Sequence, residues 1–168
     1  KMALTFNYGQ RSFEREAAAA RSLCAHYQID WRSVELPWLT GISNSALTNP
    51  ARALPQLALE ELDTKEKTQA SMEAVWVANR NGIFIEIAAA FAEAHECGFV
   101  YVGFNQEEAA TFPDNSVDYM RAMDQSLFFS TQNHVKVDSY TKHWGKKEIY
   151  GKALEVKLPL ELVWSCYE

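Results

Sequence analysis

Apolar and polar positions alternate in two different periods along most of this chain. Short apolar runs at 2–6 and 99–102, and alternating residues at 31–36 and 134–137, have the length and composition of strands. Apolar residues recur every three or four positions at 12–27, 79–96, 117–129 and 146–156, which predicts helices. Strands and helices that alternate in this way predict an α/β fold, a parallel sheet covered by helices on both faces.

The helical periods also predict which faces are buried. The helix at 117–129 is expected to be capped by Asn115 or Ser116. The methionine and aromatic side chains along one of its faces are expected to lie in the hydrophobic core. At 79–96 the charges of Glu86, Glu93 and Glu96 are expected in water. The side chains expected to face inward from that helix are Ile83, Ile87, Ala90, Phe91 and Ala94. The weak periodicity of the region 38–73 indicates a long irregular connection with one short helix. An extended piece is expected to follow at 75–77.

Composition narrows the class of protein. The 168 residues fit one domain, and a net charge of −6 argues against a broad nucleic-acid surface. No apolar run is long enough for a membrane span. Three scattered cysteines favour a reducing, cytoplasmic setting over a disulfide framework. Because strand-like residues begin at Met2 and the chain stops at Glu168 without a terminal helix, we expect it to be part of a longer protein.

Polar residues cluster in the connection at 103–116, between the run at 99–102, which is expected to be a buried strand, and the helix at 117–129. Loops after the carboxyl ends of strands are where open α/β sheets usually bind ligands. The candidate ligand-binding side chains are Asn105, Glu108, Phe112 and Asp114. A solvated acidic loop is the alternative.

Two helix starts carry cations or amides that suit an anion. Arg80 and Asn81 begin the helix at 79–96, where a guanidinium and an amide can hold a phosphate or a carboxylate. Lys146 and Lys147 begin another helix, although cations are unfavourable at a positive helix end, which makes an anionic partner there more plausible. Ordinary first-turn polar residues and a solvated basic turn are the alternatives. The four histidines show no metal-binding spacing.

Taken together, these segments resemble the 7-cyano-7-deazaguanine synthase (QueC/ExsB) family of the N-type ATP pyrophosphatase superfamily. The matching segments follow the family's order and approximate spacing along the whole chain, and they lie at 4–11, 45–48, 79–84, 103–116, 146–149 and 159–167. Each segment alone is weak, but six in order are specific. The resemblance implies a Rossmann-like, adenine nucleotide alpha hydrolase-like fold.

The resemblance also implies parts that this chain lacks. Family members carry an S-G-G-x-D-S phosphate loop between a first strand and a first helix, and we expect these to precede Met2. They also carry further cysteines that bind structural Zn²⁺ together with the position of Cys166. The implied organisation is therefore an ATP pyrophosphatase domain at 1–158, without its first strand, phosphate loop and helix, and the start of a zinc segment at 159–168.

The implied activity is the conversion of 7-carboxy-7-deazaguanine and ammonia to the nitrile 7-cyano-7-deazaguanine through adenylated intermediates, with ATP, Mg²⁺ and Zn²⁺ as cofactors. A cytoplasmic homodimer is implied. Arg80 and Lys146 would neutralise charge during catalysis. ATP would also contact Phe6, Tyr8, Gln10 and Asn81, and the deazaguanine would be held by Asn105, Glu108, Phe112 and Asp114.

The chain departs mildly from the family pattern. Ala78 stands where proline is usual, Asn7 where aspartate is usual, and Val163 where threonine is usual. Asn7 lies beside the expected adenine pocket. Related enzymes also occur in bacterial anti-phage defence systems, where another acceptor is used, so that role is an alternative to biosynthesis. A non-catalytic nucleotide-binding module is a third hypothesis.

Overall fold

The structure, a computed structural model, describes residues 1–55 and 65–164. The chain divides into two compact units, one formed by Lys1–Ala78 with the segment from Pro159, the other by Asn79–Leu158. Each unit contains one parallel pair of strands. Among the described helices, none is both long and apolar enough to cross a membrane.

The first unit is built on two parallel strands and the helix between them. Strand β1 (Met2–Asn7) pairs in parallel with β2 (Asp30–Glu35), with Met2 opposite Asp30 and Asn7 opposite Glu35. Helix α1 (Phe13–His26) packs against both strands and buries Ala17 and Cys24. A parallel pair needs such a crossover, because the chain must return to the same end before the second strand begins.

Two more helices and a short turn complete this unit. Helix α2 (Pro37–Ile42) follows β2 directly, with proline at its first position, and it buries Leu39. Helix α3 is described at Lys65–Val75. The segment from Pro159 contributes a 3-10 turn at Leu160–Leu162 that contacts α1. The prediction of one short helix within 38–73 was therefore incomplete, and the extended piece predicted at 75–77 was wrong because α3 continues to Val75.

The second unit also combines a parallel pair of strands with helices, and it has a hydrophobic core of its own. Its elements are α4 (Arg80–Ala94), β3 (Phe99–Tyr101), α5 (Gln106–Thr111), α6 (Val117–Ser130), β4 (Lys136–Asp138) and α7 (Lys146–Glu155). Strands β3 and β4 are parallel. The core gathers one face of α4, the inward face of α6 and both strands. Met120, Met123 and Leu127 lie in it, which confirms the predicted core stripe of α6.

Two expectations about burial were wrong. Helix α4 buries Ile85, Ala89 and Ala92, whereas Ala90 and Ala94 are exposed. Because α4 is apolar on nearly every side, its period could not select the inward face. Strand β3 was expected to be buried, yet Phe99 and Tyr101 are half exposed. Successive side chains of a strand point to opposite faces, so Val100 packs against the core and its neighbours Phe99 and Tyr101 lie on the other face.

The described strands confirm the α/β class and the parallel pairing. Helices follow or precede each strand, and both pairs are parallel. The four described strands form two separate two-stranded sheets. A single continuous sheet with helices on both of its faces stays a prediction.

Candidate functional site

The turn after β1 carries Tyr8 and Gln10, two of the residues predicted to bind ATP. Gln10 is buried, and its Nε2 donates to the Phe6 carbonyl oxygen at 2.9 Å and to Glu16 Oε2 at 3.0 Å. Its Oε1 accepts from the Tyr8 backbone N–H at 3.0 Å. The Gln10 amide therefore fastens the turn to the strand, and Nε2 has no N–H left for a nucleotide.

Gly9 lets the same turn approach α2 closely. Its φ of +82° lies in the left-handed region, and a Cβ at this position would collide with the Thr40 hydroxyl. Thr40 Oγ1 donates to the Tyr8 carbonyl oxygen at 2.6 Å. Tyr8 is buried by this arrangement, so the turn has a fixed shape beside the end of β1.

The second unit brings Arg80, Asn81 and Asp114 together. Arg80 and Asn81 form the first turn of α4, and Asp114 lies in a 3-10 turn at Pro113–Asn115 that packs against α4. Asn81 is buried, and its side-chain amide donates a hydrogen bond to the Asp114 carboxylate. The residue predicted to bind the base thus adjoins residues predicted to bind phosphate.

Burial dominates the electrostatics of Asp114. Loss of solvent raises the pKa of this carboxyl above its ordinary value. The positive charge of Arg80 lowers this pKa, and so do the hydrogen bonds that the carboxylate accepts from the backbone of Asp114 itself and from the Asn81 side chain. These effects together do not outweigh desolvation. The fold therefore holds the ionised carboxylate at a cost, as is common for groups at functional sites.

Removing the Asp114 charge is expected to stabilise the protein. Because the folded-state pKa of Asp114 is raised, the fold favours the protonated form, and above that pKa the ionised group costs stability. Asp114→Asn should therefore raise the melting temperature at pH 7. The gain should vanish as the pH falls below the ordinary aspartate pKa. Thermal unfolding across this pH range is the measurement.

Asp118→Asn is the matched control for this prediction. Asp118 has the same charge in the first turn of α6, but its side chain is 90 % exposed and pairs with Arg121 at 3.0 Å. Its replacement should change the melting temperature little or lower it. If Asp114→Asn also lowered the melting temperature at pH 7, the attraction to Arg80 would be larger than the cost of burial.

Tyr119 also belongs to this cluster, although the sequence pattern assigned it to the core alone. Its pKa is raised by burial first, and then by the charges of Asp114 and Glu86. Its hydroxyl lies 2.8 Å from where a Cβ on Gly82 would stand. The helical period placed the ring correctly, but only the missing side chain at Gly82 leaves room for the hydroxyl beside the start of α4.

The other predicted base-binding residues lie along α5. Asn105 is buried and caps this helix, with Oδ1 accepting from the Glu108 backbone N–H at 3.0 Å. Glu108 and Phe112 are partly exposed, and Phe112 ends the helix. Ser116 caps α6 by accepting from the Tyr119 backbone N–H at 3.1 Å, which settles the choice between Asn115 and Ser116.

Lys146 lies at the first position of α7 and is exposed. Its Nζ is 3.8 Å from Glu108 Oε1, and its backbone N–H donates to Glu107 Oε1 at 2.7 Å. Gly145 N–H donates to Glu148 Oε2 at 2.8 Å. The anionic partners expected at this positive helix end are therefore present within the chain itself, as carboxylates.

A shallow cleft of about 300 Å³ lies between α6 and β4. It contains none of the predicted site residues. Two of its charged residues, Asp138 and Lys142, pair with each other at 2.6 Å, and this contact lowers the pKa of Asp138. Arg121 and Lys136 also line this cleft.

The metal-site prediction rests on Cys166, which lies outside the described residues. Across residues 1–55 and 65–164, no group of three or more His, Cys, Asp or Glu side chains could hold a metal ion. A structural zinc needs about four ligands, so the described side chains do not by themselves form such a site.

Comparison with known proteins identifies the family. The model of the family described as queuosine biosynthesis protein QueC matches residues 2–168. The chain is 49 % identical to the 7-cyano-7-deazaguanine synthase of Methanosarcina barkeri, over 99 % of this chain and 74 % of that protein. It is likewise 49 % identical to the synthase of Pelotomaculum thermopropionicum, over 99 % of this chain and 75 % of that protein. A match across nearly the whole chain at such identity means that this chain belongs to the QueC family.

Proposed function

We propose that this chain is a 7-cyano-7-deazaguanine synthase of queuosine biosynthesis. It would use ATP to convert 7-carboxy-7-deazaguanine and ammonia to the nitrile. The activity is that of the relatives named above, which match nearly the whole chain. ATP would adenylate the substrate carboxylate with release of pyrophosphate, and ammonia would displace AMP to give the amide. A second ATP would activate the amide oxygen in the same way, and departure of that oxygen with AMP would leave the nitrile. A cytoplasmic homodimer that uses Mg²⁺ with ATP is part of this proposal.

Arg80 begins α4, and Asp114 lies in the 3-10 turn at Pro113–Asn115 that packs against this helix; this packing is the observation that carries the proposal. Activation of a carboxylate by ATP requires phosphate and substrate to meet, and holding two reactants in contact removes much of the barrier. The guanidinium of Arg80 suits a phosphate or a carboxylate, and the carboxylate of Asp114, which the charge of Arg80 influences, suits a guanine-like edge. Both reactants would therefore be bound at the first turn of α4.

Each residue near that turn has a role that follows from its chemistry. Arg80 would neutralise negative charge as it develops on phosphate or carboxylate oxygens. Asp114 would accept N–H donors from the amino-pyrimidine edge. A carboxylate has about four acceptor positions, so the bonds from Asn81, from its own backbone N–H and from Asn115 Nδ2 at 3.4 Å leave it a position for a ligand. Phe112 would stack on the base, while Asn105 and Glu108 would complete the pocket from α5.

Lys146 would supply a second positive charge to the anionic groups. It is exposed, and its ionic contact with Glu108 is long at 3.8 Å. An exposed ion pair of this length is weak, about 0–1 kcal/mol, so an incoming phosphate could displace it. The residues expected to contact ATP also include Phe6, Tyr8 and Gln10. Because the Gln10 amide is engaged within this turn, Gln10 would act by holding the shape of the turn beside the nucleotide.

The direct test is an assay with 7-carboxy-7-deazaguanine, ATP and ammonium. The expected products are the nitrile, AMP and pyrophosphate, with no nitrile formed when either ATP or ammonium is omitted. The protein tested should include any residues that precede and follow this chain. If AMP were released without formation of the nitrile from this substrate, the acceptor would be a different molecule and the proposal would be wrong.

Zinc bound through Cys166 is a further prediction, which rests on the family resemblance. Zinc would stabilise the folded state, because the free energy of binding a structural zinc contributes directly to the free energy of folding. We expect elemental analysis of the protein to find zinc near one equivalent. Cys166→Ser should lower both the zinc content and the melting temperature. Cys97→Ser, at a partly exposed cysteine, is the control and should leave the zinc content unchanged.

A further inference from the structure

Glu107 joins the helix that carries Glu108 to the helix that begins at Lys146. Its Oε1 accepts a hydrogen bond from the Lys146 backbone N–H at 2.7 Å. The same oxygen lies 2.8 Å from where a Cβ on Gly145 would stand, so a larger residue there would push it away. The adjacent Gln106 N–H donates to the Trp144 carbonyl oxygen at 3.1 Å. Two successive residues of α5 thus hold the start of α7.

The contact also counters an unfavourable charge arrangement. Lys146 and Lys147 occupy the first positions of α7, where the helix dipole repels cations. Glu107 places a carboxylate at that helix end from another element, and Glu148 places one from within α7. Of these two, only the Glu107 contact links α7 to α5.

The ion pair of Lys146 with Glu108 is too weak to hold the lysine in place. The distance is 3.8 Å, and the two side chains are 66 % and 42 % exposed. Exposed pairs of this kind contribute little and are screened by salt. The position of the Lys146 ammonium therefore depends on where the backbone of residue 146 is fixed, and Glu107 is the side chain that binds this backbone.

We infer that Glu107 is a positioning residue for the reaction: by binding the backbone of Lys146, it fixes the start of α7 against α5 and holds the Lys146 ammonium beside Glu108. The inference rests on the proposed function for the role of Lys146. Glu107 itself touches neither substrate.

Turnover of three single variants tests this role. Glu107→Ala should reduce kcat about tenfold, since small displacements of a charged group have effects of that order or larger. Glu107→Gln keeps an oxygen that can accept from Lys146 N–H, and it should recover most of the rate. Glu148→Ala is the matched control, because it removes an acceptor from the same helix end without cutting the link to α5. Its loss should be smaller than that of Glu107→Ala.

The double variant distinguishes positioning from a general effect on folding. If Glu107 acts through Lys146, Glu107→Ala should cause no further loss of kcat in a Lys146→Ala background. Multiplicative losses would overturn the inference, as would equal losses in Glu107→Ala and Glu148→Ala. Hydrogen exchange of the Lys146 amide gives a readout independent of activity, and its protection should be lost in Glu107→Ala and kept in Glu107→Gln.

The exchange measurement also separates this inference from the proposed function. A wild-type protein that made no nitrile would contradict the function. Unchanged protection of the Lys146 amide in Glu107→Ala would contradict the contact itself, whatever the activity. An active wild type in which the kcat losses of the two substitutions multiply would contradict only the positioning role.

Discussion

Asp114→Asn is expected to weaken binding of 7-carboxy-7-deazaguanine far more than binding of ATP. A carboxylate that accepts two N–H donors from a guanine-like edge cannot be replaced by an amide, which presents donors at one of the two positions. The unpaired groups cost about 1–3 kcal/mol, which corresponds to roughly fivefold to a hundredfold or more in Kd. Calorimetric titration with each ligand separately measures the difference.

The binding loss should occur together with the gain in stability expected from removing the same charge. A variant that folds more stably but binds substrate less well would show that the cost of burying Asp114 serves recognition. Asp118→Asn, at an exposed position, should leave both affinities unchanged. Equal losses for the two ligands, or no loss for either, would place the base pocket elsewhere and leave 103–116 as a solvated loop.

Phe112→Ala tests the same pocket from its apolar side. Base–aromatic stacking is worth about 1–3 kcal/mol per base in other proteins, and the deazaguanine affinity should fall by that amount. The ATP affinity should change less. A loss confined to ATP would assign this ring to the nucleotide instead.

Arg80→Ala is expected to reduce turnover by about tenfold to a hundredfold while the fold remains intact. Charge-assisted hydrogen bonds to phosphate or carboxylate are worth about 1.5–3 kcal/mol, and the loss would appear mainly in kcat if the contact strengthens in the transition state. Arg80 also lowers the pKa of Asp114. Its removal should therefore raise that pKa further, so that substrate binding is lost at a higher pH than in the wild type.

Two control pairs make this result specific. Arg121→Ala removes an arginine whose side chain is 73 % exposed and pairs with Asp118, and it should leave turnover unchanged. Lys146→Ala should lower turnover by a factor similar to that of Arg80→Ala, whereas Lys147→Ala, at the next exposed position of α7, should not. Wild-type kinetics in both Arg80→Ala and Lys146→Ala would mean that these are ordinary surface cations.

The helices and strands were predictable wherever a single period dominated. The start of α7 at Lys146 and the buried stripe of α6 follow from local spacing, whereas capping chemistry left Asn115 and Ser116 as alternatives until the structure identified Ser116. The inward face of α4 could not be predicted in this way, because the apolar side chains of this helix lie on nearly all of its sides. Its orientation depends on what packs against it. The half exposure of Phe99 and Tyr101 could not be predicted either, since an apolar run alone cannot show whether both sides of a strand are covered.

By itself, the sequence determined the α/β class, the family and the set of chemically capable residues, because these depend on residue types and their order along the chain. Only the tertiary structure decided which of those residues meet. It brought Asp114 of one segment to Arg80 and Asn81 of another and left room for the Tyr119 hydroxyl above Gly82. It also engaged the Gln10 amide in its own turn and gave Lys146 the carboxylates of Glu107 and Glu108. Such pairings depend on distances between residues far apart in the chain, and packing of the core sets those distances.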